Sequence, residues 1–259
     1  MFSISNIALN LSYIFADFLR EQTMPNHDKP LNNFDRLAIQ REGEYRRILL
    51  VFGAAWIVRL MHILSLKVSP IFSYKIGDAA KYDAWAQSLA SGNWLGEGVF
   101  YQAPLYPYFL GVVYSTLGDS ILTVRLVQSL IGAVSCVLLM LAGTNLFGKK
   151  SGLVSGLCLA FYAPSIFLEG LMQKSTLDLF FLCLLLWLIS KIVFRPRPAL
   201  WILAGLTTGA LCLTRENALI LLPIFLVWIC VGTFRRLSTS SFVLNPNSSN
   251  RMHFKARAG

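Results

Sequence analysis

The sequence predicts an all-α fold: a polytopic transmembrane helix bundle of about six spans, with an amphipathic juxtamembrane helix in the first outer loop. Three observations predict it. Of the 259 residues, 55% are apolar and only 14% are charged, and the mean hydropathy is +0.58. A soluble domain carries about 25% charged residues, so this composition excludes a disordered chain and argues strongly against a soluble one. The apolar residues gather into runs long enough to cross a bilayer. The charges between those runs sort by sign. The formal charge of +10 at first suggests an anionic polymer, but charges spaced by apolar runs point to a membrane, and nucleic acid is not expected as a partner.

A spanning helix needs about 20 mostly apolar residues. Segments 48–66, 121–147, 152–168, 176–194 and 218–234 qualify, and the shorter 200–214 makes a sixth. The stretch 104–117 is shorter again and opens Pro104-Leu105-Tyr106-Pro107. Runs of about 10–14 residues are more often interfacial or re-entrant than spanning, and it is read that way. The boundaries Lys149-Lys150, Lys191/Arg195/Arg197 and Arg235-Arg236, and the tail residues Arg251, Lys255 and Arg257, hold basic residues and no acid. The positive-inside rule makes them cytoplasmic. Asp78, Asp83, Glu97, Asp119, Glu169 and Glu216 then fall on the opposite face, with Asp178 near the outer end of its span. The chain divides into a cytoplasmic head (1–47), a membrane domain (48–235) and a polar cytoplasmic tail (236–259). Segment 1–19 lacks a basic start and a small-residue cleavage site and is expected to lie on the cytoplasmic surface as an amphipathic helix.

The five cysteines all lie within apolar spans and none has Cys-x-x-Cys spacing, so they read as small apolar filler and not as a metal or disulfide framework. Gly152-x-x-x-Gly156 and Gly205-x-x-x-Gly209 have the spacing that lets helices approach closely.

Chemistry is sought on the acidic face. Tyr82, Trp85, Ala86 and Leu89 recur at helical spacing, with Gly92 as a stop and Asp78 at the helix start. Asp78 reads either as a helix N-cap or as a carboxylate at the bilayer edge that accepts a proton from a substrate hydroxyl; the two are compatible. Tyr101, Tyr106 and Tyr108 with Pro104 and Pro107 form either an aromatic belt or a sugar-stacking wall. Glu169 sits in apolar surroundings, where an acid is costly unless paired or wetted: Lys174 is one partner, and an active cavity is the other reading. Arg59 and His62 lie one turn apart inside the first span, Arg125 lies near the outer end of the second, and Arg215-Glu216-Asn217 breaks the last two spans. No phosphate-binding glycine loop, Gly-x-Ser-x-Gly elbow or His/Cys metal cluster is present in the sequence, so no metal and no cofactor is expected.

Asp78-x-x-Lys81-Tyr82-x-x-Trp85-Ala86, then Gly92-Asn93-Trp94, then Tyr101-Gln102-Ala103-Pro104-Leu105-Tyr106-Pro107-Tyr108 resemble the first outer loop of membrane glycosyltransferases of the GT-C fold. The branch is that of the protein mannosyltransferases, the aminoarabinose transferases of lipid A and related lipopolysaccharide sugar transferases. The resemblance continues through Val124-Arg125-Leu126-Val127-Gln128, Leu146-Phe147-Gly148-Lys149-Lys150, Glu169-Gly170-Leu171 and Leu213-Thr214-Arg215-Glu216-Asn217. It implies transfer of a sugar from a polyprenyl-phosphate carrier, with inversion, to a glycan, lipid or protein acceptor. The site would face outward from a bacterial inner membrane, amid membrane lipid. Asp78 would be the catalytic carboxylate and Glu169 the second acid. Lys81, Tyr82, Arg125 and Arg215 would meet the donor phosphate, and Asp83, Gln102, Tyr106 and Lys174 the substrates. Two features depart from the pattern. The aminoarabinose branch carries an acid–Lys–Pro run where this chain has Gln102-Ala103-Pro104. Family members also usually have more spans, so the chain is expected to be an N-terminal portion. A transporter or flippase-like protein, or a non-catalytic remnant, is the alternative.

Overall fold

The structure, a computed structural model, describes residues 33–69, 72–73, 75, 77–94 and 102–227, and their regular structure is helical throughout. The expected surface helix at 1–19, most of the head, the tail 236–259, Tyr101 and Cys230 lie outside the described residues. The chain divides into two compact units, Met1–Arg46 and Arg47–Gly259; the packing and the candidate site described below lie in the second.

The helices are α1 (Asn33–Lys67), α2 (Asp78–Ala90), α3 (Leu105–Leu117), α4 (Ile121–Phe147), α5 (Lys149–Ala160), α6 (Ala163–Glu169), α7 (Ser175–Phe194) and α8 (Pro198–Thr214). A 3-10 turn at Glu216–Ile220 leads on into a last helical stretch. Within lipid every backbone polar group must be bonded inside its own segment, which selects long helices. Three are long and apolar enough to cross a membrane: Arg41–Lys67 within α1, Ile121–Phe147 and Ser175–Phe194. The expected six spans also include 152–168, 200–214 and 218–234. The first of these is not one rod. It breaks at Phe161–Tyr162 into α5 and α6, which meet at 51° and count as a fourth span only when taken together. Pro164 is the cause: it has no N–H for the Ala160 carbonyl, and its ring clashes with that carbonyl in a straight helix. The other two correspond to the shorter apolar helices Pro198–Thr214 and Glu216–Val227, and the described residues stop within the last.

Helix α4 is the centre of the bundle, packed on α5, α6 and α7. It turns into α5 through Gly148 at φ 90°, a backbone region that only glycine enters at no steric cost. The Gly152/Gly156 pair does what its spacing suggests. A Cβ at Gly152 would strike the Thr144 backbone and the Met140 carbonyl, and one at Gly156 would strike Met140 and the Cys136 carbonyl. Val51, Ala55, Ala133, Cys136, Met140 and Ala160 close that seam and tie α1 to α4 and α5. Gly205 and Gly209 meet nothing. Leu185, Leu188, Ile192 and Ala204 join α7 to α8.

Helices α2 and α3 pack on each other. Tyr82 and Ala86 of α2 meet Tyr106, Leu110, Val113 and Tyr114 of α3, and the cluster extends to Val124 of α4 and to Met172 and Leu177 at the start of α7. The short stretch read as interfacial is α3, which is not among the helices fit to span. The α2–α3 pair thus lies over the end of the bundle where α4 and α7 begin and where α1 and α8 finish. This end carries the candidate site.

Candidate functional site

Asp78 is the first residue of α2; the cap position belongs to Gly77, and no side chain caps the helix. Its carboxylate therefore stands where the free N–H groups of the first turn face a negative charge. The side chain is exposed, and Gln102 Nε2 donates to its Oδ1 at 2.8 Å. Gln102 precedes Pro104, so the turn into α3 is what brings the amide to the acid. Lys81, one turn along α2, is exposed on the same helix. The expected stop is found as well: α2 ends at Ala90, and Gly92 has φ 106°.

Asp83 has a different setting. It is buried, and it accepts hydrogen bonds from Tyr114 Oη at 2.6 Å and Gln87 Nε2 at 3.0 Å, with Lys75 Nζ 2.6 Å away. It fastens α2 to α3 and to the segment before them. Burial and the adjacent Asp83 carboxylate push the Tyr114 phenol well above its ordinary range, so it stays protonated as the donor. Tyr82 and Tyr106 are also interior: their rings pack edge to face at 5.0 Å. Burial first, and the charge of Asp78 second, raise the Tyr82 phenol. Asp178 and Glu216 add to that shift. Tyr108 is the aromatic at the surface, edge-on to Trp85 and tilted against Trp94, and its hydroxyl donates to the Trp94 carbonyl at 2.7 Å.

Glu169, at the end of α6, is only 3% exposed. Its partner is Arg59 of α1, 110 residues away, in place of Lys174. Arg59 Nε donates to Oε2 at 2.5 Å and Nη2 to Oε1 at 3.0 Å, and Ser165 Oγ adds a third bond at 2.7 Å. Arg59 Nη1 reaches the carbonyls of Ala55 and Ala160, so it takes up the acceptor that Pro164 leaves free. A Cβ at Gly132 of α4 would collide with the Glu169 carboxylate, which makes glycine the residue that admits the pair. Lys174 stands at the N-cap position of α7.

Arg125 does not snorkel outward. It is 3% exposed, its guanidinium lies 4.2 Å from the Phe72 ring centroid, and Nη2 donates to the Phe72 carbonyl at 2.9 Å. Its Nε and Nη1, and Nε2 of His62, are buried without a hydrogen-bond partner. Arg215 is half exposed, with Nε 3.0 Å from Oδ2 of Asp178. Gln128, one turn beyond Arg125, stands out in the sequence only as part of a longer run. It is fully buried and joins α3 to the 169–176 segment: Tyr106 Oη donates to its Oε1, and its Nε2 donates to the carbonyls of Glu169 and Leu171 and to Thr176 Oγ1. The signal that could have found it is its position in an apolar span, where an amide is costly unless satisfied.

Two of the acids at this end of the bundle thus stand in opposite settings: Asp78 is exposed and held by an amide, and Glu169 is buried and held by a guanidinium. Lys81 lies one turn along α2 from Asp78, Arg125 lies near the start of α4, and Arg215 follows α8. Such an arrangement suits proton removal at Asp78 and binding of an anionic group beside it.

Comparison with known proteins identifies a family. The family model described as dolichyl-phosphate-mannose-protein mannosyltransferase aligns with residues 101–244. The aligned part takes in Gln102, Tyr106, Arg125, Glu169, Lys174 and Arg215, and starts after Asp78, Lys81, Tyr82 and Asp83. No curated protein and no solved structure matched. More than half of the chain is covered and three of its helices are long and apolar enough to span a bilayer: it belongs to the dolichyl-phosphate-mannose-protein mannosyltransferase family, integral-membrane glycosyltransferases of the GT-C fold.

Proposed function

We propose that the chain transfers a sugar from a polyprenyl-phosphate carrier to a hydroxyl acceptor at the outer face of the membrane, with inversion, and that Asp78 is the general base. The acceptor oxygen would attack the anomeric carbon as its proton passes to Asp78. The bond from that carbon to the phosphate oxygen breaks, and the carrier leaves as its monophosphate. Attack opposite the leaving group inverts the centre. A lipid phosphate is already a leaving group, which fits a site without nucleotide-binding elements.

One observation carries the reading. Asp78 is the solvent-accessible acid of the pair, fixed at a helix start by Gln102 Nε2, whereas Glu169 is engaged by Arg59. Glu169 on this view shapes the site from below. Lys81, the unused Nε and Nη1 of Arg125, and Arg215 are the groups that would absorb charge on the departing phosphate. Tyr82, Asp83 and Tyr106 hold the α2–α3 pair that presents Asp78, and Gln102 orients the base; Lys174 borders the same end. The acidic face is taken as external because the basic residues Lys149, Lys150, Lys191, Arg195 and Arg197 lie at the opposite ends of the helices.

The test is transfer from a panel of polyprenyl-phosphate sugars by the purified chain in lipid nanodiscs. Asp78→Asn should lower turnover about 10²–10⁴-fold, the range of a positioned base, with no loss of folded protein. Equal turnover in parent and variant would remove Asp78 from the chemistry.

A further inference from the structure

We infer that Gln128 is a positioning residue for the transfer reaction, coupling the helix pair that presents Asp78 to the segment that holds Glu169. The inference rests on the glycosyl-transfer reading above.

Both ends of the Gln128 side chain are used. The carbonyl oxygen accepts from Tyr106 Oη at 3.1 Å, and the amide nitrogen donates to Glu169 O at 3.3 Å, Leu171 O at 3.0 Å and Thr176 Oγ1 at 3.0 Å. None of this amide meets solvent. In so apolar a setting, breaking any of these hydrogen bonds leaves a buried polar group unsatisfied, and the penalty rises steeply with small displacements. Gln128 is therefore sensitive to where α3 and the 169–176 segment sit relative to α4.

The two partners lead to the two acids. Tyr106 lies four residues after Gln102, across Pro104, and Gln102 donates to Asp78. Glu169, whose carbonyl Gln128 binds, is clamped by Arg59 and rests on Gly132, four residues beyond Gln128 on α4. One face of α4, at Gln128 and Gly132, thus sets both acids from a single rigid helix. Gln128 touches neither carboxylate, so its effect is on placement and not on proton transfer.

Three variants test this: Gln128→Met, which keeps the length and removes both polar ends, Tyr106→Phe, and the pair together. Kinetics per folded protein should show kcat lowered about 10–100-fold for Gln128→Met, as a misplacement near 1 Å produces, with the donor KM little changed. Tyr106→Phe should lower kcat by less, and the double variant should be no worse than Gln128→Met, because neighbours in one network are not additive. Unchanged kcat in Gln128→Met, or additive losses in the double variant, would overturn the proposal. If Gln128→Met does not fold, Tyr106→Phe decides: a kcat loss at constant KM supports coupling, and parental kcat ends it. If the parent transfers sugar from no donor, the enzymatic reading fails by itself and amide exchange decides the coupling. Faster exchange in both 105–117 and 169–176 on Gln128→Met or Tyr106→Phe upholds it, and a change confined to one segment overturns it.

Discussion

Glu169 and Arg59 illustrate how a single residue is decided by its partner. Two opposite charges buried in an apolar bundle are tolerable as a pair and ruinous apart. Removing one partner of a buried pair costs about 3–5 kcal/mol, while replacing both with apolar residues is often close to neutral. Arg59→Met or Glu169→Met should therefore each lower the thermal midpoint of the detergent-solubilised protein sharply, and the double variant should recover much of the loss. Losses that simply add would show that the pair is not coupled. Arg59→Lys should not rescue, because an ammonium lacks the planar fork that grips both oxygens and reaches Ala160 O as well. Asp78 is the opposite case. It is exposed and bonded to one amide, so its replacement is expected to cost turnover and not stability. Melting curves of Asp78→Asn that match the parent, beside lost transfer, would separate the two acids. The sequence marked both acids and named neither partner: Gln102 is 24 residues from Asp78, and Arg59 is 110 from Glu169.

Elements were more legible than partners. The starts and stops of α2, α4 and α7 and the short α3 follow from hydrophobic periodicity and backbone sterics, which are local. The break between α5 and α6 shows the limit. Composition alone makes 152–168 one apolar run, and only the missing donor of Pro164, with Arg59 at hand to satisfy Ala160 O, makes a bend the better solution. Two motifs identical on paper also part ways in the fold. Gly156→Leu should destabilise the α4–α5 seam by about 1–3 kcal/mol or more, as overpacking does, because Met140 and the Cys136 carbonyl leave no room. Gly209→Ala should be neutral or slightly stabilising, by up to about 1 kcal/mol of helix propensity, because nothing stands within reach of its Cβ. Thermal melts of the two variants check both, and a destabilised Gly209→Ala would reveal a neighbour on that face.

At the scale of the molecule, the sorted charges become a vectorial prediction. The end with Asp78, Glu169 and Arg215 should lie outside the membrane, and the Lys149-Lys150 turn inside. Cysteines at Ser88 and at Ser151, placed in a chain whose own cysteines are replaced by alanine or serine, should label oppositely in intact cells. A membrane-impermeant maleimide should reach Ser88→Cys from outside, and Ser151→Cys only after permeabilisation. The reverse pattern would put the acids on the cytoplasmic side and exclude an externally presented donor. The same arrangement explains why α2 and α3, neither of them a span, are nonetheless well packed: Tyr82, Tyr106 and Tyr114 fill the seam, and Asp83 locks it.

By itself the sequence determined membrane insertion, helical class, the sorting of charge by face and the order of motifs that marks the family, because each depends on composition or on residues near in the chain. Only the tertiary structure decided that Glu169 belongs to Arg59, that Gln128 ties the α2–α3 pair to the 169–176 segment, and that Asp78, unlike Glu169, stays accessible beside Gln102. Those outcomes depend on which buried polar groups find partners, and in an apolar bundle that is settled by contacts tens of residues apart.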